Sequence, residues 1–268
     1  MKIIAEIGWN HMGKTNLAEK MISEASKAGA DYAKFQTWNE SNLISGPWDK
    51  DGRREIYKKA QLTKNDHIKL YKICKKYNIK FLTSIFDTSD YKLFSNLRLN
   101  TIKIPSPENR NKKLLKFCSK KFKNIFLSTG AAKLNEVRKS YNYIKKNNVS
   151  IMHCVSKYPC EDRYVNLSRI NDLKKICKSI GLSDHTHNID SSIFSFGYGV
   201  EVIEKHFTIN NNLPGRDNKF AILPKDLKKL CDLRDKYLLM TKKNLKELTM
   251  SDYEIRNIYS GRWSGNGS

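Results

Sequence analysis

Two histidines stand at the ends of short apolar runs, Gly181-Leu182-Ser183-Asp184-His185 and Val200-Glu201-Val202-Ile203-Glu204-Lys205-His206. If both runs are consecutive strands of a parallel sheet, the 20 residues between His185 and His206 hold one crossover helix. Both imidazoles then emerge at the same, carboxyl end of neighbouring strands, where an α/β barrel builds its active site. Neutral imidazoles converging there are the beginning of a site for a divalent transition metal.

Other polar residues recur where apolar runs finish. Glu6 lies in the first run, with Asn10 and His11 after it, and Lys34 and Gln36 fall on one face of the second by the two-residue period of a strand. Ser84 closes the third, Lys103 and Ser106 the fourth, and Ser128-Thr129-Gly130 the fifth. The sixth gives His153, Ser156 and Tyr158; the last two add Ser183, Asp184 and Lys205. A lysine inside an apolar strand is costly unless an anion meets it. Two such lysines, Lys34 and Lys103, with several hydroxyls describe a pocket for a phosphate and a carboxylate. Plainer readings stand beside this one. Glu6 and Lys34 could be an interior ion pair, Lys103 could be satisfied by a carboxylate, and Ser128–Gly130 could cap a helix. His153 could bond only backbone, His11 and His187 read as polar neighbours, and His67 as a surface helix residue.

These residues need a frame that brings strand ends together. Apolar runs predict strands over Lys2–Ile7, Tyr32–Gln36, Lys80–Thr83, Thr101–Ile104, Asn124–Ser128, Ser150–His153, Ser179–Ser183 and Val200–Lys205. Helical spacing predicts helices over Asn16–Ala28, Lys64–Tyr77, Ala132–Lys146, Asn166–Lys178 and about Pro224–Leu245. Eight alternating units in 268 residues match the size of a (β/α)8 TIM barrel. A doubly wound sheet is the runner-up, but Gly8-Trp9-Asn10-His11-Met12-Gly13 is not its glycine-rich phosphate turn. The aromatic, polar loop from Trp38 to Arg54 is expected over the barrel mouth. Residues 1–250 read as one barrel domain and 251–268 as a loose tail.

Composition narrows the class. The formal charge is +23, from 50 Lys and Arg against 27 Asp and Glu. Such an excess suits a nucleic-acid binder, but the lysines are spread over amphipathic segments and form no basic arm, so that function is disfavoured. An anionic substrate gains from the field either way. Six scattered cysteines without a C-x-x-C are expected to stay reduced. No apolar stretch approaches the length of a membrane span and no secretion signal opens the chain, so a cytoplasmic protein without membrane contact is expected.

With these residues in place, the chain resembles the sialic acid synthase family, whose members condense phosphoenolpyruvate with N-acetylmannosamine or a related sugar aldehyde. The matching stretches are AEIGWNHMG (5–13), GADYAKFQTW (29–38), KIPSPE (103–108), STGAAKLNEV (128–137), HCVSKYP (153–159), NLSRI (166–170), GLSDHT (181–186), VIEKHFT (202–208) and PGRD (214–217). The resemblance implies that His185 and His206 hold manganese or magnesium. It implies phosphate contacts for Lys103, Ser106, Ser128 and Ser84, and carboxylate contacts for Ser183 and Ser156, the latter where some members have asparagine. Glu6, Lys34 and Gln36 match residues of the reaction centre; Tyr158 and Asp217 match residues around the sugar. Phosphoenolpyruvate and a sugar aldehyde are thus the expected partners.

Two departures bear on the acceptor. Many members continue into a small C-terminal antifreeze-like domain that lends an arginine to the sugar, often across a dimer. No such segment is read here, which implies a separate antifreeze-like partner or a different acceptor, with a homodimer open. GRDN at 215–218 also replaces the more usual GPDH. A synthase of another 3-deoxy-2-keto acid, and a non-catalytic barrel binding a sugar or phosphate, are the alternatives.

Overall fold

The computed structural model describes residues 1–242 and 248–263. Eight strands, β1 (Lys2–Gly8), β2 (Tyr32–Thr37), β3 (Lys80–Ile85), β4 (Thr101–Ile104), β5 (Asn124–Ser128), β6 (Asn148–Cys154), β7 (Ile180–Asp184) and β8 (Val202–His206), close in chain order into a parallel barrel. This is the TIM barrel that the alternation of runs predicts. Helices α1 (Thr15–Lys27), α2 (Arg53–Ala60), α3 (Lys64–Lys76), α4 (Lys112–Lys121), α5 (Leu134–Ile144), α6 (Arg169–Lys174), α7 (Asp190–Phe194) and α8 (Pro224–Met240) lie between and after the strands. Two compact units are distinguished, 1–234 and 235–268. The second holds the end of α8 and helix α9 (Met250–Tyr259), whose Thr249 and Asp252 form a reciprocal cap.

The barrel interior is layered by the two-residue period of its strands. Ile4, Tyr32, Leu82, Phe126, Met152 and Val202 form one apolar cluster. Two positions further along the same strands come Glu6, Lys34, Ser84, Ser128, Cys154 and Glu204. Register then decides which polar residues become neighbours: Glu6 pairs with Lys34, Ser84 with Lys103 and Ser183 with Glu204. The apolar layer is tight. A Cβ on Gly181 would lie 2.5 Å from Val202 Cγ1 and 2.7 Å from its carbonyl oxygen, so only glycine fits there.

Several local expectations change. The segment after Trp38 is not an open loop; it folds into 3-10 turns at Glu40–Asn42 and Pro47–Lys50 and then α2. The β3–β4 connection uses 3-10 turns, at Thr88–Leu93 and Ser95–Leu97. The β7–β8 crossover is the short α7 continued by a 3-10 turn. Helix α9 falls in the stretch read as tail, while residues 243–247 of the expected last helix and 264–268 of the tail lie outside the described residues.

His67 is a correction. It is fully buried, because it shares the inward stripe of α3 with Leu70 and Cys74 at helical spacing. Its Nε2 lies 2.7 Å from Thr37 Oγ1 and its Nδ1 2.8 Å from the Thr63 carbonyl oxygen, so the ring ties α3 to β2. Ser128–Gly130 does not cap a helix either, since α5 starts at Leu134 behind a Lys133 cap. All six cysteines are buried, and none is in a disulfide among the described residues.

Two predictions follow from this packing. Gly181→Ala should destabilise the barrel by about 1–3 kcal/mol in urea unfolding, the usual cost of overpacking; an unchanged midpoint would contradict the tight Gly181–Val202 contact. Burial lowers the His11 imidazole from 6.5 to about 4. A depressed folded value means stability that is full above 6.5 and lost as pH falls through 4. Between pH 7 and 5 the loss from this residue is about 2 kcal/mol. His11→Asn, which keeps an acceptor for the Gly13 amide now held by His11 Nδ1, should remove that part of the acid sensitivity.

Candidate active site

At the carboxyl ends of the strands lies a cavity of about 510 Å3. All thirteen residues singled out above for a site role line it: Glu6, Lys34, Gln36, Ser84, Lys103, Ser106, Ser128, Ser156, Tyr158, Ser183, His185, His206 and Asp217. They come from every strand or from the loop after it, which explains why no single stretch of sequence contains the site.

The floor is a four-charge cluster. Lys34 Nζ lies 2.8 Å from Glu6 Oε2 and 3.7 Å from Glu204 Oε2, and donates to Ser84 Oγ at 2.9 Å. Lys103 Nζ lies 2.7 Å from the same Glu204 oxygen, and Ser183 donates to Glu204 Oε1 at 3.2 Å. Burial would push the Glu204 carboxyl up, but Lys103 and Lys34 overrule it and hold it at about 2. Glu6 goes the other way: burial outweighs Lys34 and raises it, with Glu204 adding to the rise. Gln36 donates to its Oε1 at 2.5 Å. The interior pair Glu6–Lys34 and the carboxylate on Lys103, both weighed as plain structural readings, are present. Both also face the cavity.

The hydroxyl wall lies beside this floor. Ser106 Oγ accepts the Gly130 amide at 3.0 Å, and a Cβ on Gly130 would meet Ser156 Oγ at 2.2 Å and Ser106 Oγ at 2.8 Å. Glycine therefore keeps open the space between two hydroxyls. Ser128 Oγ is buried with no hydrogen-bond partner among the described residues. A hydroxyl left without a protein partner in a cavity wall is available to a ligand or to water.

The two histidines also line the cavity, His185 beside Cys154, whose thiol in turn meets Ser106. Their ring centres are 5.4 Å apart. His185 donates from Nδ1 to the Val155 carbonyl oxygen at 2.7 Å, which leaves its Nε2 lone pair as the ligating one. Burial above all keeps His206 well below its ordinary value and hence neutral. Its Nδ1 lies 3.4 Å from Asp217 Oδ2, and burial pushes that carboxyl up to about 7. With nitrogens about 2.1 Å from an ion, two rings at 90–120° about it would be roughly 4.5–5.6 Å apart. The pair fits a divalent ion by that test. No group of three or more His, Cys, Asp or Glu gathers as a metal cage among the described residues, so other coordination positions would fall to water or substrate.

Not every strand-end residue joins. Asp184 and Lys205 turn away from the cavity and pair with each other at 3.0 Å, with Ser191 and Ser192 both donating to Asp184 at 2.6 Å. That buried knot fixes the ends of β7 and β8, and so the adjacent His185 and His206. His153 Nε2 lies 2.6 Å from the Val165 carbonyl oxygen. Residues the sequence reading missed also line the cavity, notably Glu204, Cys154, Trp9, Tyr57, Arg53 and Arg216. Glu204 was within reach, since it precedes His206 by two positions on one strand face. Arg53 opens the short helix α2 and Arg216 sits in a loop, and no periodicity marks either.

Comparison with known proteins agrees with this fold. The NeuB family profile matches residues 21–245. N,N'-diacetyllegionaminic acid synthase of Campylobacter jejuni is 39% identical over 246 residues, covering 85% of this chain and 74% of that protein. The crystal structure of N-acetylneuraminic acid synthetase from Leptospira borgpetersenii, in complex with citrate, superposes with a TM-score of 0.87 at 31% identity, covering 95% of this chain and 90% of that one. The Bacillus subtilis spore coat polysaccharide biosynthesis protein spsE superposes with a TM-score of 0.79, also at 31% identity, over 96% and 76%. On this agreement of sequence and fold, the chain belongs to the NeuB family, whose relatives include sialic-acid-type sugar acid synthases.

Proposed function

We propose that this barrel joins phosphoenolpyruvate to a sugar aldehyde of the N-acetylmannosamine kind, giving a sialic-acid-type 3-deoxy-2-keto sugar acid and inorganic phosphate. The observation that carries the reading is the buried Glu6–Lys34–Glu204–Lys103 cluster in one cavity with a hydroxyl wall and two imidazoles.

Lys103 and Lys34 present ammonium groups whose positions Glu204 fixes, so a phosphate meets donors already oriented. Ser84, Ser106 and the unpartnered Ser128 hydroxyl supply further donors, and Ser183 and Ser156 sit where the enol's carboxylate would lie. The four floor charges sum to zero, whereas phosphoenolpyruvate brings roughly three negative charges. A manganese or magnesium ion on His185 and His206 would offset part of that charge and act as a Lewis acid toward the aldehyde oxygen. Gln36, Tyr158 and Asp217 would orient the sugar so that its carbonyl carbon faces the enol methylene; orientation of this kind is a large part of the rate. When the carbon–carbon bond forms, C2 of the former enol becomes cationic. Glu6, with its raised carboxyl beside Lys34, would stabilise that cation and take a proton from the water that adds to C2. The alkoxide left at the former aldehyde oxygen would take up that proton, and collapse of the tetrahedral centre would expel phosphate together with the C2 hydroxyl proton, leaving the keto group.

The purified protein should release phosphate from phosphoenolpyruvate only when manganese and a suitable sugar aldehyde are both present, and chelation should stop it reversibly. Labelled water should deliver its oxygen to the keto acid and none to the phosphate. Silence with every aldehyde in a broad panel, from folded and metal-replete protein, would overturn the reading. His185→Ala should cut turnover about 100-fold or more, as loss of a group acting on a developing oxyanion does, while leaving phosphoenolpyruvate binding partly intact. Lys103→Met and Gly130→Ala should act at the phosphate end instead, raising the KM for phosphoenolpyruvate about 10- to 100-fold.

A further inference from the structure

The cavity rim carries two guanidinium groups that no step above uses: Arg53, in the first turn of α2, and Arg216, in the loop after β8. Both reach one carboxylate oxygen. Arg53 Nη2 lies 2.7 Å and Arg216 Nη1 3.2 Å from Asp51 Oδ2. The neighbouring carboxylates are engaged elsewhere, Glu40 and Asp49 with Arg54, and Asp217 with His206. Two cations on one anion leave a formal positive charge at the rim, on side chains that are part exposed. Arg216 gives one nitrogen to Asp51, so much of its five-donor fork remains for a ligand.

Both arginines stand on anchored backbone. Tyr57, one turn along α2 from Arg53, packs edge-on against Trp9 and Trp38 with ring centres 5.1 Å away in each case, and its carbonyl accepts from Trp38 Nε1 at 3.1 Å. Before Arg216, Gly215 adopts φ +111°, which favours glycine. After it, the buried Asn218 donates to the Pro214 carbonyl at 2.7 Å and the Asn10 carbonyl at 3.3 Å, tying the loop to the end of β1. Asp217, between them, faces His206. The rim is therefore continuous with the place where the proposed acceptor lies.

We infer that Arg53 and Arg216 form a clamp for an oxyanion, a phosphate monoester or a carboxylate, carried by the acceptor sugar away from its aldehyde carbon. The acceptor class is then an acidic sugar aldehyde. This rests on the proposed synthase reading for the identity of the ligand, but its chemistry is that of the rim itself: the planar fork of Arg216 matches two oxygens of such a group, while Arg53, whose Nε and Nη2 are held by Asp51, adds its outer Nη1.

Calorimetric titration of the full chain with manganese tests it, using N-acetylmannosamine, its 6-phosphate and the corresponding uronic acid as probes. At least one anionic probe should bind about tenfold or more tightly than the neutral sugar, the contribution of a charge-assisted pair; the order of the two anions identifies the oxyanion. Arg53→Gln and Arg216→Gln should each reduce that preference with phosphoenolpyruvate affinity unchanged, whereas Asp51→Asn, which frees both forks, should retain or increase it. Equal binding of all three probes, or a preference that survives both arginine variants, overturns the clamp. Since binding needs no turnover, the two readings fail separately. Arginine-dependent binding without phosphate release would sink the synthase and keep the clamp; turnover of the neutral sugar with no preference would do the reverse.

Discussion

The structure turns on four charges buried in the interior of a barrel. Glu6, Lys34, Glu204 and Lys103 are all nearly inaccessible to solvent, and each is tolerable only because the others are there. A buried ion pair returns little net stability against well-packed apolar residues, yet removing one member costs about 3–5 kcal/mol by stranding its partner. Such a cluster is a poor way to stabilise a fold and a good way to hold ammonium groups and carboxylates at fixed places. Its position above an apolar layer and below an open cavity is where fixed charge is useful to a ligand.

Each level of the barrel has a separate task. Ile4, Leu82, Val202 and their neighbours fill the lower interior, and Gly181 lets β7 and β8 approach. Outside the staves, Asp184, Lys205 and the Ser191 and Ser192 hydroxyls lock the ends of β7 and β8 without entering the cavity. Because residues alternate along a strand, that external lock sets the direction of His185 and His206 one position further on. Stability and site geometry are thus divided between opposite faces of the same strands.

The high positive charge takes on a more specific meaning in this frame. Most lysines lie on helix faces, whereas the cavity combines balanced charge at its floor with a surplus at its rim. A general field that attracts anions and a local floor that orients them are compatible, and both suit substrates bearing phosphate and carboxylate groups.

Sequence alone determined the parallel barrel, because strand runs and amphipathic segments alternate and each leaves its own period in the chain. It also indicated thirteen of the residues that line the cavity, since polar side chains at the ends of apolar strands have few other places to go. Their assigned roles came from resemblance. Partners were not legible: that Lys103 meets Glu204, 101 residues away, depends on barrel closure and register. His67 was misread because lone polar residues on helices usually face water, and only the packing of α3 against β2 turns this one inward. Arg53 and Arg216, far apart in the chain and without periodicity, become a pair only through the loops that place Asp51 between them. Local period is written in the sequence; which distant groups share a charge is decided when the sheet closes.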